Sequence, residues 1–146
     1  MRVREALEVH AASIAIERAI DAELVGLGEH VRRLRETTEA GENVMRRSSH
    51  DLAFHRGLVR LAGNGRMSSV YEDMLGQSIL LLGSAAKENE VMRTAMRLEI
   101  HEEIYGGVIA RDERRAANAI RAHYRYGEER LVARREPDDE GDSGLN

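Results

Sequence analysis

The chain has 146 residues, of which 42% are hydrophobic, 33% charged and only 3% aromatic, and its formal net charge is −4. This length is typical of a single domain, and the core has to be built from Leu, Ile, Val, Ala and Met. The acidic charge argues against these residues alone binding a nucleic-acid backbone, because that affinity comes from clustered Lys and Arg. The scarcity of aromatic rings also argues against base stacking.

The sequence contains no cysteine, which excludes disulfides and thiolate metal ligands and fits a reducing compartment. No apolar run approaches the ~18–20 residues that span a bilayer, and the N-terminal residues lack the apolar segment of a signal peptide. We therefore expect a cytoplasmic protein without membrane contact. Any bound metal would have nitrogen and oxygen ligands.

Helical periodicity accounts for most of the chain, and the only proline, Pro137, lies near its end. Residues 2–20 carry apolar residues on nearly all sides, which predicts a central and largely buried helix. A second helix is predicted from an N-cap at Asp21 to a C-terminal cap at Gly41. Its apolar stripe has spacings of three and four and consists of Leu24, Leu27, Val31 and Leu34.

The remaining pattern predicts four more helices. The third covers residues 48–62 and ends at Gly63-Asn64-Gly65, the fourth covers 66–84, residues 87–89 form a loop, and the fifth covers 90–110. Asp112 is the expected N-cap of the sixth. Residues 136–146 are acidic and poor in hydrophobic residues, which is typical of a disordered tail. We therefore predict an all-α domain over residues 1–135 and a tail over 136–146.

Asp51 and His55 are the first candidate functional residues, because residues four apart lie on one face of a helix. His101 and His123 lie within predicted helices where the neighbours at three and four residues are largely apolar, so they too should face the interior. Imidazole and carboxylate ligands suit zinc, nickel, cobalt, manganese or iron. The four side chains are therefore predicted to hold one divalent metal ion.

Other interpretations of these residues remain open at this point. Ser48 and Asp51 have the spacing of a capping box, in which Asp51 would stabilise the start of the third helix. Each histidine taken singly is also typical of a hydrogen-bonded core residue. The four together would be costly to bury unless something satisfied them all. His10, His30 and His50 lie beside or away from the apolar stripes and are left out of the site.

The sequence does not carry the motifs of the catalytic alternatives. Di-iron bundles need Glu-x-x-His pairs, and no histidine here is preceded by Glu at that spacing. His101-Glu102 begins like the zinc-protease signature, but Tyr105 stands where the second histidine is required. We therefore expect a binding protein with no catalytic residues rather than an enzyme.

Several short motifs together resemble the FCD domain, the C-terminal effector-binding domain of FadR-like regulators in the GntR family of bacterial transcription regulators. They occur in the order Arg4-Glu5-Ala6-Leu7-Glu8, Asp51-Leu52-Ala53-Phe54-His55, Leu61-Ala62-Gly63-Asn64, His101-Glu102, Arg111-Asp112 and His123. The resemblance covers about residues 2–133. Its most specific part is Asp-x-x-Phe-His followed by Ala-Gly-Asn and two spaced histidines.

The resemblance implies an antiparallel bundle of six or seven helices that forms a homodimer. It also implies a small organic acid bound at a divalent metal, with Asp51, His55, His101 and His123 as ligands. We expect zinc, with nickel, manganese or cobalt as alternatives. Arg4 matches an arginine that helps to hold the effector carboxylate in relatives, and Asn64 is a second candidate for ligand binding.

The chain departs from the family pattern in two places. Members carry an N-terminal winged helix-turn-helix, and this chain begins in the effector domain, so we expect DNA binding only through such a domain elsewhere. The chain would then be a fragment of a regulator or a stand-alone domain. Gly106-Gly107 falls within a predicted helix, where a kink or a larger pocket beside His101 would explain it. A small metal-dependent enzyme and a helical interaction protein without metal remain the competing hypotheses.

Overall fold

The computed structural model describes residues 2–42, 44–83 and 98–133. These ranges form six helices and contain no strand, which confirms the predicted all-α class. The helices are α1 (Arg2–Arg18), α2 (Asp21–Glu39), α3 (Val44–Leu61), α4 (Gly65–Gly83), α5 (Leu98–Ile109) and α6 (Glu113–Ala133). None of the helices in the described ranges is long and apolar enough to cross a membrane.

The first helix is the centre of the bundle, as its apolar pattern predicted. It contacts α3, α4, α5 and α6, whereas α2 packs on α3 and α5 from the other side. Ala11, Ala12 and Ala15 of α1 are fully or almost fully buried, while Val3 near its start is 59% exposed. Small side chains on α1 let the surrounding helices approach closely, and this arrangement brings their inward faces to one place.

Contacts along neighbouring helices show their antiparallel direction. Glu8 of α1 reaches Tyr124 of α6, whereas the other end of α1 lies beside the turn at Arg111 that precedes α6. In the pair of α5 and α6, His101 lies against His123 and Gly107 against Ala116. The residue numbers thus rise along one helix as they fall along its partner.

Most predicted helix ends are confirmed to within a few residues, but the start of α3 is not. This helix begins at Val44, so Ser48 lies inside it and the capping-box interpretation of Ser48 and Asp51 is wrong. Asp21 is the first residue of α2 and not its N-cap; that position is Ile20, whose N–H donates to Glu23 at 3.0 Å. The first predicted helix ends at Arg18 rather than at residue 20.

Other end signals are confirmed by their geometry. Gly41 adopts a left-handed backbone with φ of 63° after α2, and Asp112 Oδ1 accepts the Arg115 N–H at 2.9 Å at the start of α6. The predicted loop at 87–89, the predicted helical residues 84 and 90–97, and the tail at 136–146 lie outside the described residues.

The turn between α5 and α6 is held by Arg111. Its backbone has φ of 54°, a left-handed conformation that is uncommon for a residue with a side chain. Its guanidinium donates to the carbonyl oxygens of Ile16 and Ala19 and to Asp21 Oδ1, at 2.5, 2.8 and 2.8 Å. Arg111 therefore caps the carboxyl end of α1 and joins it to α2, which fixes the turn against the central helix.

Gly106 and Gly107 have a packing role that the sequence did not reveal. The helix α5 continues through both residues. A Cβ atom at Gly107 would lie 2.5 Å from the backbone nitrogen of Ala116, and one at Gly106 would meet the Arg115 guanidinium at 2.7 Å. Gly107 thus allows α5 and α6, the helices that carry His101 and His123, to approach more closely than any side chain would permit.

Substitution of Gly107 tests this close approach. Gly107→Ala should lower the free energy of unfolding by about 1–3 kcal/mol, because the added methyl group meets backbone atoms that cannot move independently. Gly26 of α2 is a matched control, since a Cβ there would meet nothing within 4 Å. Gly26→Ala should stabilise the protein by about 0.5–1 kcal/mol. Urea denaturation measures both, and equal stability of Gly107→Ala and the wild type would contradict the packing role.

A polar cluster with the composition of a metal centre

Three helices contribute the four residues that the sequence singled out. Asp51 and His55 lie one turn apart on α3, His101 lies on α5 and His123 on α6. His101 is fully buried and His55 is 4% exposed. The structure brings all four side chains into one cluster, packed around Phe54 and Tyr124.

The distances within the cluster are those of groups facing a common point. One ring nitrogen from each of His55, His101 and His123 can be chosen so that all three lie within 4.8 Å of one another. His101 Nε2 lies 3.3 Å from His55 Nε2 and 2.7 Å from Asp51 Oδ1. Asp51 Oδ1 is 3.9 Å from His55 Nε2. The carboxylate oxygen and the imidazole nitrogens therefore converge.

One polar atom of this cluster, His123 Nδ1, is buried without a hydrogen bond to any described residue. Asp51 Oδ1 is paired with His101 Nε2 at 2.7 Å. Buried polar atoms are nearly always satisfied in folded proteins, so the unsatisfied imidazole nitrogen points to a missing partner. One carboxylate and three imidazoles are a donor set that suits a divalent transition metal, and the residues therefore fit such an ion.

A second buried carboxylate, Glu8 of α1, supports the cluster from the opposite side. Glu8 is fully buried, and its Oε2 lies 2.8 Å from His55 Nδ1. Its other oxygen, Oε1, accepts hydrogen bonds from the hydroxyl groups of Tyr71 on α4 and Tyr124 on α6. Glu8 thus joins α1 to α3, α4 and α6 through a single side chain.

Sequence reasoning gave no role to Glu8, Tyr71 or Tyr124. A signal for Glu8 was present: it lies three, four and seven residues before Ala11, Ala12 and Ala15, on the buried side of α1. A carboxylate at these spacings on an apolar face has to find a partner inside the protein. The two tyrosines carried no comparable signal, because a tyrosine on an apolar face is ordinary.

The charges of the cluster determine its protonation. Burial by itself opposes ionisation of both carboxyl groups, but the histidines outweigh it. The pKa of Asp51 is held well below its usual value by His101 and, more weakly, by His55 and His123. The pKa of Glu8 is likewise lowered by His55 and by the hydrogen bonds from the two tyrosines. Both side chains are carboxylates at neutral pH.

The histidines respond in opposite directions. Burial disfavours the charged form of His55, but Glu8 and then Asp51 raise the pKa of His55 above its usual value. Burial, together with the neighbouring His55 and His101, lowers the pKa of His123 to about 3. His123 is therefore a neutral imidazole with an available nitrogen lone pair, which is the form that binds metal ions.

The tyrosine hydroxyl groups remain protonated and act as donors. Burial and the negative charge of Glu8 raise the pKa of Tyr71 and of Tyr124 far above the usual tyrosine value. Both hydroxyl groups therefore keep the proton that they donate to Glu8. The Glu8 carboxylate is held in place by fixed donors from two helices.

Arg4 and Arg47 lie on the amino-terminal side of the cluster. Arg4 is one turn before Glu8 on α1, its guanidinium lies 5.4 Å from the centroid of the Tyr124 ring, and its charge lowers the pKa of His55. Arg47 is one turn before Asp51 on α3, and its buried Nε has no hydrogen-bond partner among the described residues. The guanidinium groups of Arg4 and Arg47 thus belong to the helix faces that carry Glu8 and Asp51.

Asn64, the other predicted ligand-binding residue, has a structural contact. Its exposed side chain accepts a hydrogen bond from Met67 N at 3.1 Å and caps the start of α4. A role of Asn64 in ligand binding stays a prediction. His10 is exposed, while His30 and His50 are partly buried and do not belong to the metal-type cluster.

The helical bundle and its cluster of one Asp and three His define a small all-α domain with a polar cluster between its helices. A family model described as FCD domain matches residues 1–126, and the chain therefore belongs to the FCD domain family. Among solved structures it resembles E. coli McbR/YncC, a GntR-family regulator, with a TM-score of 0.71 and 18% sequence identity. The match covers 92% of this chain and 63% of that chain, so this chain spans less than two thirds of that protein's length. At this identity the likeness concerns the fold. No curated protein sequence matches the chain.

Removal of the Tyr71 hydroxyl tests the hydrogen bond to the buried carboxylate. Tyr71→Phe should lower the free energy of unfolding by about 1.5–3 kcal/mol, the usual contribution of a hydrogen bond to a charged group. Tyr105→Phe is the control, because Tyr105 also packs against the core but donates no hydrogen bond to Glu8. Loss of the Tyr105 hydroxyl group should change the free energy of unfolding by less than about 0.5 kcal/mol. Chemical denaturation at neutral pH measures both. Equal losses of stability in Tyr71→Phe and Tyr105→Phe would show that the hydrogen bond to Glu8 contributes no more than an ordinary tyrosine hydroxyl group.

Proposed function

We propose that this chain is the effector-sensing domain of a GntR/FadR-type transcription regulator, and that it binds a small organic acid at a divalent metal ion. Asp51, His55, His101 and His123 would hold the ion. The observation that carries the proposal is the convergence of three histidine nitrogens within 4.8 Å, with Asp51 Oδ1 at 2.7 Å from one of them. When bound, the ion would supply open coordination positions for the carboxylate of the effector.

The balance of buried charge supports a divalent cation. Glu8 and Asp51 bring two negative charges to the interior, and a buried charge without compensation is strongly unfavourable. Without a metal ion, the positive charge that balances the carboxylates has to come from protons bound by the cluster. The raised pKa of His55 favours such a bound proton. A divalent ion with neutral imidazole ligands would balance both carboxylates at once.

Arg4 supports an anionic effector. The Arg4 guanidinium lies 5.4 Å from the centroid of the Tyr124 ring, beside the cluster, and its positive charge would attract the carboxylate of an acid. Arg47 adds a second guanidinium group, whose buried Nε would be satisfied by a carboxylate oxygen. Arginine binds carboxylates through two parallel hydrogen bonds. We therefore expect organic acids rather than amines or neutral sugars, with Arg4 and Arg47 orienting the acid.

We propose zinc as the ion, with nickel, manganese or cobalt as alternatives. Its nitrogen and oxygen ligands are of the type that these metals share. Selection among them depends on coordination geometry and on availability in the cell. Metal analysis of the protein purified from its natural host would identify the ion.

Regulation would follow from the distribution of the metal ligands over α3, α5 and α6 and of Arg4 and Glu8 on α1. A ligand shifts an equilibrium between two packings only if it binds one of them more tightly. Residues of four helices surround the cluster, so a bound acid would favour the packing in which all of them reach it. We expect the domain to act as a homodimer, and DNA to be contacted by a winged helix-turn-helix outside these residues.

Metal binding can be tested with His123→Ala. The wild-type protein, stripped with a chelator and titrated with zinc, should bind the ion and gain about 2.7 kcal/mol of stability at a free concentration of 100 times Kd. His123→Ala should lose most of this gain, whereas the exposed His10→Ala on α1 should retain it. Isothermal titration and thermal unfolding measure the two effects. Absence of both in the wild type would refute the metal site, and full retention in His123→Ala would remove His123 from the ligand set.

Effector binding can be tested with a panel of organic acids and the zinc-loaded protein. A sensor should be stabilised by one chemical class of acid without forming product. Arg4→Ala should weaken the binding of that acid by at least about tenfold, since a charge-assisted hydrogen bond contributes about 1.5–3 kcal/mol. Its zinc affinity should not fall, because Arg4 is not a ligand and its positive charge opposes a cation, and the 89% exposed Arg2 provides the control variant Arg2→Ala. Product formation would favour the metal-dependent enzyme instead.

A further inference from the structure

Glu8 is placed to act on the metal-type cluster through His55, although it is not one of the predicted ligands. Its Oε2 lies 2.8 Å from His55 Nδ1, on the side of the ring opposite to Nε2. His55 Nε2 faces His101 Nε2 at 3.3 Å and Asp51 Oδ1 at 3.9 Å. The two nitrogens of the ring therefore have separate environments, one toward Glu8 and one toward the cluster.

The position of the His55 proton follows from the chemistry of the pair. Glu8 is surrounded by donors and stays ionised, and an ionised carboxylate can only accept hydrogen bonds. At 2.8 Å, His55 Nδ1 must therefore be the donor and carry a hydrogen. A neutral imidazole with hydrogen on Nδ1 has its lone pair on Nε2. This lone pair then points toward Asp51 and His101.

We propose that Glu8 is a positioning residue that fixes the tautomer and the ring orientation of His55, so that Nε2 is the atom presented to a metal ion. This inference rests on the proposed metal site. The carboxylate does not touch the ion itself. A carboxylate behind a ligating histidine raises the basicity of the ring and limits its rotation, and loss of such a partner typically weakens metal binding about 10–100-fold.

Tyr71 and Tyr124 give Glu8 the rigidity that this role requires. Both hydroxyl groups bind Oε1, which leaves Oε2 for His55 and prevents the carboxylate from rotating. Tyr124 follows His123 directly in the sequence, and its ring lies edge-on to the His123 ring at 5.3 Å. The same network therefore restrains His55 on α3 and the helix segment that carries His123 on α6.

A purely structural role for Glu8 makes a different prediction. In that case, removal of any of its hydrogen bonds would lower stability, and metal affinity would fall only as far as the fold is disturbed. A positioning role predicts that loss of the acceptor at Oε2 weakens metal binding more than loss of a donor to Oε1. Variants of Glu8 and of Tyr71 separate these two cases. Tyr71 binds the other oxygen of Glu8, so a substitution at Tyr71 removes one hydrogen bond of Glu8 and leaves the Glu8–His55 pair in place.

The test combines zinc titration with ¹⁵N NMR of the histidine rings. Glu8→Leu removes the acceptor and should weaken zinc binding about 10–100-fold, and His55 should lose its preference for hydrogen on Nδ1. Glu8→Gln keeps an acceptor oxygen and should recover part of the affinity. Tyr71→Phe should lose stability but weaken zinc binding much less than Glu8→Leu, because Tyr124 still donates to Oε1 and the Glu8–His55 pair remains. In the zinc-loaded wild type, His55 should coordinate through Nε2 and retain hydrogen on Nδ1.

Each contrary result has a separate meaning. Coordination of His55 through Nδ1 in the wild type would overturn the inference, as would equal zinc affinities of Glu8→Leu and the wild type or equal losses in Glu8→Leu and Tyr71→Phe. If Glu8→Leu does not fold, Glu8→Gln and the wild-type spectrum still decide. If the wild type binds no metal, the proposed function fails, but the metal-free protein at alkaline pH still tests the Glu8–His55 pair: hydrogen on Nδ1 supports it, and hydrogen on Nε2 refutes it.

Discussion

A fully buried carboxylate has to be compensated within the protein, and Glu8 meets this requirement by drawing on three neighbouring helices. Its oxygens accept hydrogen bonds from His55 of α3, Tyr71 of α4 and Tyr124 of α6. Each of these donors is satisfied only when its helix is packed against α1 in the observed position. The bond network therefore couples the arrangement of the bundle to the orientation of the histidine that faces the polar cluster. Loss of the carboxylate would leave two buried hydroxyl groups and one imidazole without their partner.

The remaining helices meet the cluster through contacts of a different kind. Gly107 lets α5 approach the backbone of α6 closely, and these are the two helices that carry His101 and His123. Arg111 fixes the turn between the same two helices to the carboxyl end of α1. Close packing at Gly107 and the hydrogen bonds of Arg111 thus hold together the two helices that carry His101 and His123. The contact with Glu8 orients the third histidine, His55. In the proposed sensor, an acid bound between these helices would affect the packing at Gly107, the hydrogen bonds of Arg111 and the Glu8–His55 pair.

Much of the helical architecture was predictable from local sequence. The stripe of α2 is buried at all four predicted positions, and the caps at Gly41 and Asp112 have the expected geometry. The start of α3 was misplaced because Ser48 and Asp51 have the spacing of a capping box, while the helix extends one turn further toward Val44. A cap motif is a local preference, and packing of α3 against α1 and α2 overrides it. The Gly106-Gly107 pair suggested a kink or a larger pocket from the sequence, but α5 continues through it, and the reason for Gly107 lies across the interface with Ala116.

The sequence by itself determined the all-α class and the family resemblance, and it singled out the four residues of the candidate metal site. It could do so because helical periodicity is local, and because Asp51 and His55 share a helix face at a spacing of four residues. Only the tertiary structure decided that His101 and His123 meet them, since nothing along the chain fixes the distance between separate helices. It also decided the role of Glu8: a single glutamate on an apolar face signals that a partner exists, but its partners lie 47, 63 and 116 residues away and are brought to it by packing alone.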